Sequence, residues 1–103
     1  TAMTRVPQGP DIWVADANDD ALVEVDTRAL KVVRVIRDSP YPHAPPGSYP
    51  DALALADGEL FVANAGNDDV AVFDGATGEL RGLIPTGWYP SALTVAHRAL
   101  YVV

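Results

Sequence analysis

Leu60 to Asp74 reads LFVANAGNDDVAVFD, and Ile12 to Asp26 reads IWVADANDDALVEVD. The two stretches align without a gap at an offset of 48, so that Val14, Ala15, Ala17, Asp20 and Asp26 recur as Val62, Ala63, Ala65, Asp68 and Asp74. Self-similarity at a period of tens of residues marks a repeat architecture, in which each copy buries its apolar surface against the next. Further along, Gly47-Ser48-Tyr49-Pro50-Asp51-Ala52-Leu53 returns as Gly87-Trp88-Tyr89-Pro90-Ser91-Ala92-Leu93, now at an offset of 40. The difference between the offsets places eight additional residues in the first copy, within Asp38 to Pro46. The prolines there cannot donate to a sheet, so the insertion is expected to be a loop.

Within the second copy, short apolar runs alternate with turn chemistry. Asp51 to Ala56 is the first run, and Asp57-Gly58 supplies the positive-φ pair of a tight hairpin. Leu60 to Asn64, Asp69 to Asp74 and Glu79 to Ile84 follow, separated by turns at Ala65 to Asp68 and at Gly75 to Gly78. Four antiparallel strands in about 40 residues make one propeller blade. The runs Ile12 to Ala15 and Leu60 to Ala63 are apolar on successive residues, so both strand faces need covering, as stacked blades provide and a sandwich does less well. Arg28 to Arg37 argues otherwise, because Ala29, Val32, Val33 and Ile36 fall at helical spacing behind a possible Thr27 cap. Its counterpart in the second copy carries Gly82 and Pro85, and its own residues are rich in valine and isoleucine, so a strand is expected.

These residues resemble the YVTN β-propeller repeat, which runs Tyr-Val-x-Asn, a short turn, Val-x-Val-x-Asp, Thr-Gly, then an Ile-Pro-x-Gly and Pro stretch. Phe61-Val62-Ala63-Asn64, Val70 to Asp74, Thr77-Gly78 and Ile84-Pro85-Thr86-Gly87 stand in register with it, and the likeness covers Asp11 to Val103. The first copy departs: Asp16 replaces the Asn, and Arg28-Ala29 stands where Thr-Gly is usual. IPTGWYPSAL (84–93) is also similar to the propeller part of bacterial proteins that join YVTN repeats to an alkaline-phosphatase-like phosphoesterase domain. The resemblance implies an all-β fold of four-stranded antiparallel blades and an exported protein, periplasmic or extracellular. Seven such blades need about 280 residues, so these 103 make a partial propeller of about two.

The expected organisation is an N-terminal extension or partial strand (1–10), a first repeat (11–50) with its proline-rich insertion (38–46), a second repeat (51–90) and the start of a third (91–103). Nine strands are expected, three, four and two in the successive copies. Nine is not a multiple of four, which favours a piece of a longer propeller over a self-assembling ring of identical chains; the opening on Thr1 rather than Met is expected of a processed, tagged or excised chain. Partners on this reading are the remaining blades of a parent propeller or other copies of the chain. The formal net charge of −7 repels a phosphate backbone, so nucleic acid is not expected. The acidic residues Asp16, Asp19, Asp20, Asp57, Asp68, Asp69 and Asp74 sit in turns and are expected to be solvated. No apolar run approaches the roughly 18 residues of a membrane span, and the absence of cysteine excludes disulfides and thiolate metal sites.

No catalytic, metal or cofactor site is expected. His43 and His97 lack ligand-spaced companions, the serines lack an activating context, and the glycines are spaced by turns and form no phosphate loop. The two equivalent corners at 48–51 and 88–91 lead into the innermost strand of a blade, on one rim near the propeller axis, where loops bind ligands and partners. Tyr49, Asp51, Trp88 and Tyr89 are the candidate residues for a protein or small-ligand partner; packing of Tyr and Pro between blades is the competing reading. A non-catalytic binding or scaffolding segment is expected. The alternative is the propeller part of a larger envelope hydrolase or lyase whose catalytic residues lie elsewhere.

Overall fold

Strand succeeds strand along the whole chain in the computed structural model, which describes residues 2–7, 9–44 and 46–103. Pro45 of the insertion and Thr1 and Gln8 of the N-terminal segment lie outside the described residues. The first sheet holds β1 (Met3–Arg5), β2 (Asp11–Asp16), β3 (Ala21–Asp26) and β4 (Lys31–Arg37), and the second holds β5 (Pro50–Ala56), β6 (Glu59–Asn64), β7 (Asp69–Asp74) and β8 (Leu80–Pro85). A hairpin of β9 (Leu93–Ala96) and β10 (Ala99–Val102) begins the third copy. In each sheet the strands pair in chain order, all antiparallel. There are thus ten strands among the described residues, not nine, because Met3–Arg5 completes the first sheet by pairing with Ile12 to Val14.

The repeat governs local structure in detail. Asp26 and Asp74, aligned at the ends of β3 and β7, each accept the backbone N–H groups two and three residues on: Arg28 and Ala29 at 2.9 and 3.0 Å, Ala76 and Thr77 at 2.8 and 3.1 Å. This closes the turn before the outer strand in both copies. Asp57 and Gly58 take φ values of 51° and 77°, as a two-residue hairpin twisted with its strands requires. Arg28 to Arg37 ends in a strand, and its helical spacing has a physical origin. Glu24 pairs with Arg34 but Val25 with Val32, so Val33 is an unpaired bulge residue that breaks the period of two. Arg81 is skipped in the same way between Gly82 and Leu80 in β8, 48 residues later.

Trp13, Ala15, Leu22 and Ile36 of the first sheet join Leu60, Val62, Ala71 and Phe73 of the second in one buried cluster. The sheets are therefore packed face against face as neighbouring blades, each large side chain contributing about 1.5–3 kcal/mol by leaving water. Arg34 adds a polar tie, reaching across from β4 to donate to the Ala76 carbonyl at 2.5 Å. β5 packs against β1, β2 and β9, so the first strands of the copies gather on the inner side. The corners that enter β5 and β9 are brought to one rim by this arrangement.

Candidate functional site

Two aspartates expected at the solvated surface are instead buried: Asp20 is 5% exposed and Asp69 8%. Burial of Asp20 builds the first corner. Its carboxylate accepts the Gly47 N–H at 2.6 Å and the Tyr49 N–H at 3.0 Å, charge-assisted bonds that tie the β2–β3 turn to the chain entering β5. From the other side the β6–β7 turn closes on the same corner, the Gly66 and Ala65 N–H groups donating to the carbonyls of Ser48 and Tyr49 at 2.9 and 3.2 Å. Asn67 Nδ2 adds a bond to Ser48 Oγ at 2.8 Å. A Cβ on Gly66 would lie 1.7 Å from the Gly47 carbonyl oxygen, so only glycine permits this approach.

Held from both sides, Tyr49 adopts φ of 51°, a left-handed conformation that costs a non-glycine residue about 1–2 kcal/mol. Its ring is turned outward and is 54% exposed, whereas Pro50 beside it is fully buried. Pro90 and Tyr89 repeat the division, the proline buried and the tyrosine 65% exposed. At both corners the proline is buried and the tyrosine ring is exposed. Asp51 owes its direction to a second irregularity. Pro50 pairs with Asn64 and Ala52 with Ala63, so Asp51 is skipped in the ladder, and such a bulge re-aims the side chain it carries. Partial desolvation raises the pKa of its carboxyl from the ordinary aspartate value.

Tyr49, Asp51, Trp88 and Tyr89 line one cleft of about 700 Å³, together with Asp68 and the floor residues Ala17, Ala65 and Gly66. The structure brings all four sequence-selected residues together. Ala17 and Ala65 are repeat equivalents from successive β-turns, so the cleft follows the rim from the first copy to the third. Among the described residues no Lys, Arg or His lines it. His43 and His97 are both exposed and stand outside it.

No protein-family model matches the sequence, and no curated protein matches it. Solved structures do. The chain is similar to Kuenenia stuttgartiensis hydrazine synthase, with a TM-score of 0.82 and 24% identity over 99% of this chain and 28% of that one. Saccharomyces cerevisiae Sqt1 gives 0.81 and 7% identity over 98% of this chain and 29% of that one. Citrobacter koseri AztD gives 0.72 and 18% over 89% and 25%. All three are β-propeller proteins. The fold is therefore all-β, with two four-stranded antiparallel sheets that resemble propeller blades, and the chain spans less than a third of the length of each neighbour.

Propeller geometry also exposes what sequence reasoning passed over. Asp68 and Gly66 belong to the cleft because a blade's β6–β7 turn sits beside the corner that enters it, and the aligned Asp20 shows what that turn position does. Beneath the corner lies a buried polar group built on the Asn of the Tyr-Val-x-Asn run: Asp38 and Asn64 are each 1% exposed. Asn64 Nδ2 donates to Asp38 Oδ1 at 3.1 Å and to Asp69 Oδ1 at 3.0 Å. Asp38 stands where the second copy has Thr86, so the alignment does not repeat this group.

Proposed function

We propose that this chain is a non-catalytic recognition segment of a YVTN-type propeller, and that its rim cleft receives a cationic group of a partner. The carrying observation is the composition of the cleft: three exposed aromatic rings, the carboxylates of Asp51 and Asp68, and no basic side chain. Aromatic faces attract ammonium and guanidinium groups, tryptophan most strongly, and carboxylates on the same wall add charge complementarity. A rigid corner at Tyr49 lowers the ordering cost of binding. From the YVTN resemblance we assign the parent propeller to the periplasm or cell exterior, with its other blades as permanent partners.

Trp88 is 83% exposed and Trp13 is 1% exposed, so a ligand in the cleft changes the emission of one tryptophan only. Titration with a short lysine- and arginine-bearing peptide, followed by Trp88 fluorescence and calorimetry, is expected to show binding that Trp88→Ala weakens tenfold or more at unchanged thermal stability. Equal binding of a neutral, acetylated version of the peptide, or no binding of either, overturns the cationic reading. Turnover of phosphate esters by this chain overturns the non-catalytic one.

A further inference from the structure

We infer that Asp38 is held as the neutral acid and donates its Oδ2 proton to Asn64 Oδ1, closing a carboxyl–carboxamide pair that bolts the exit of the first blade to the second and opens when that proton is lost. The inference stands on which atoms are left over. Both side chains are 1% exposed, and Asn64 Nδ2 has spent its two protons on Asp38 Oδ1 and Asp69 Oδ1. Asp38 Oδ2 and Asn64 Oδ1 are the two buried side-chain atoms without a hydrogen-bond partner among the described residues. Each is an acceptor if Asp38 is ionised, and two acceptors cannot satisfy one another. One proton on Asp38 Oδ2 supplies the missing donor for both, since Asn64 Nδ2 already bonds the other carboxyl oxygen and a carboxylic acid pairs with a carboxamide through two such bonds.

The surroundings favour the same state. Burial drives the Asp38 carboxyl up to about 7, against the pull of the Asn64 hydrogen bond and with the push of the Asp69 and Asp20 charges. These are the ionisable groups that act on it, Asp69 from β7 and Asp20 from the β2–β3 turn, and no basic side chain opposes them. Nor do three or more His, Cys, Asp or Glu side chains come together to hold a metal ion among the described residues. The second copy shows the neutral solution to the same position. Thr86 aligns with Asp38 and repeats its backbone bond, Thr86 N–H to Asp68 O at 2.9 Å matching Asp38 N–H to Asp20 O at 2.8 Å.

That backbone bond is how the proton reaches the rim. Asp38 holds Asp20, whose carboxylate in turn fixes Gly47 and Tyr49. An anion at Asp38 is repelled by the Asp20 and Asp69 carboxylates, and the first corner loosens. The folded state keeps a proton at pH values where the unfolded chain has released it, so this contribution to stability is present at acid pH, declines as pH rises towards about 7 and is gone above it. The inference is independent of whether the cleft binds a cation.

The decisive experiment is urea unfolding of the full chain across pH 5 to 8.5, together with carbon NMR of the Asp38 carboxyl. Wild type is expected to show an unfolding constant that rises by up to about tenfold per pH unit below neutrality and then levels off. Asp38→Asn, whose amide donates to Asn64 Oδ1 at every pH, is expected to lose that slope, while Asp69→Asn retains it. Should Asp38→Asn fail to fold, Asp38→Thr, which copies the second blade's Thr86, and the wild-type carboxyl titration carry the test. An Asp38 carboxyl that titrates in the ordinary carboxylate range, as it would beside a bridging water, overturns the inference; so does a pH slope shared by wild type and Asp38→Asn.

Discussion

The corners that enter β5 and β9 carry nearly the same residues, Gly-Ser-Tyr-Pro-Asp at 47–51 and Gly-Trp-Tyr-Pro-Ser at 87–91, and they are held in different ways. The first is clasped by Asp20 on one side and by Ala65, Gly66 and Asn67 on the other, and its tyrosine is left-handed. At the second, Thr86 Oγ1 donates to the Trp88 carbonyl at 2.8 Å and Ser91 bonds Val103, but Asp68, the equivalent of Asp20, is exposed and its carboxylate bonds no corner N–H. The same motif thus meets a buried aspartate in one place and an exposed one in the other. On the side both corners share in this chain, the difference lies in the aspartate of the preceding turn and not in the motif: Asp20 bonds the first corner's N–H groups, and Asp68 stands exposed beside the second.

The sharpest way to break this contrast is at Gly66. Gly66→Ala puts a Cβ against the Gly47 carbonyl oxygen and is expected to cost about 3 kcal/mol or more in chemical denaturation. Asn18→Ala, at the aligned position of the first copy, is expected to stay within about 0.5 kcal/mol. Equal losses would mean that the first corner is not clasped. Next in size, Asp20→Ala leaves two backbone donors without their carboxylate and should cost about 3 kcal/mol, whereas Asp68→Ala should change stability by about 0.5 kcal/mol at most. A matching loss at Asp68 would show that the second corner is latched in solution as the first is.

The smallest effect concerns the turn that the copies share. The Arg81 guanidinium, bonded to Asp74 at 2.6 Å, and the Ala76 and Thr77 N–H groups hold the Asp74 carboxyl down at about 2. Stability from this lowered value is present above the ordinary carboxylate range and is lost as pH falls towards 2, and Asp74→Asn should flatten that part of an acid titration. Asp26 has the same two backbone bonds and a lowered pKa, but no guanidinium bonds its carboxylate as Arg81 does at Asp74. Asp26→Asn should therefore alter the acid limb less. The reverse order would assign the effect to the turn alone.

Much of the fold is legible because a repeat reports twice. Asp69–Asp74 can be read to the residue, and the hairpin at Asp57-Gly58 and the loop character of the proline-rich insertion follow from turn chemistry. β1 is legible only as one of two readings of 1–10, an extension or a partial strand, since three residues carry neither period nor repeat. Rim placement of Tyr49, Asp51, Trp88 and Tyr89 follows from the aligned corners, but their different support does not, because hydrogen bonds from distant turns leave no local pattern. Asp20, Asp38 and Asp69 are illegible for a related reason: turn and loop aspartates are ordinarily solvated, and only the packing of two blades removes these from water.

The paired bulges at Val33 and Arg81 have a consequence for solubility. β4 leaves Val32, Val33 and Val35 more than half exposed at the open margin of its sheet, the composition of a segment that recruits foreign strands. An unpaired residue near the middle kinks that margin and offsets its free N–H and C=O groups from the straight row another chain needs. In β8 the kink falls on a charged arginine, and Pro85 closes the strand with a residue that has no N–H to offer. One irregularity, kept at the same place in both sheets, bends the outer strand out of the straight row that strand addition needs.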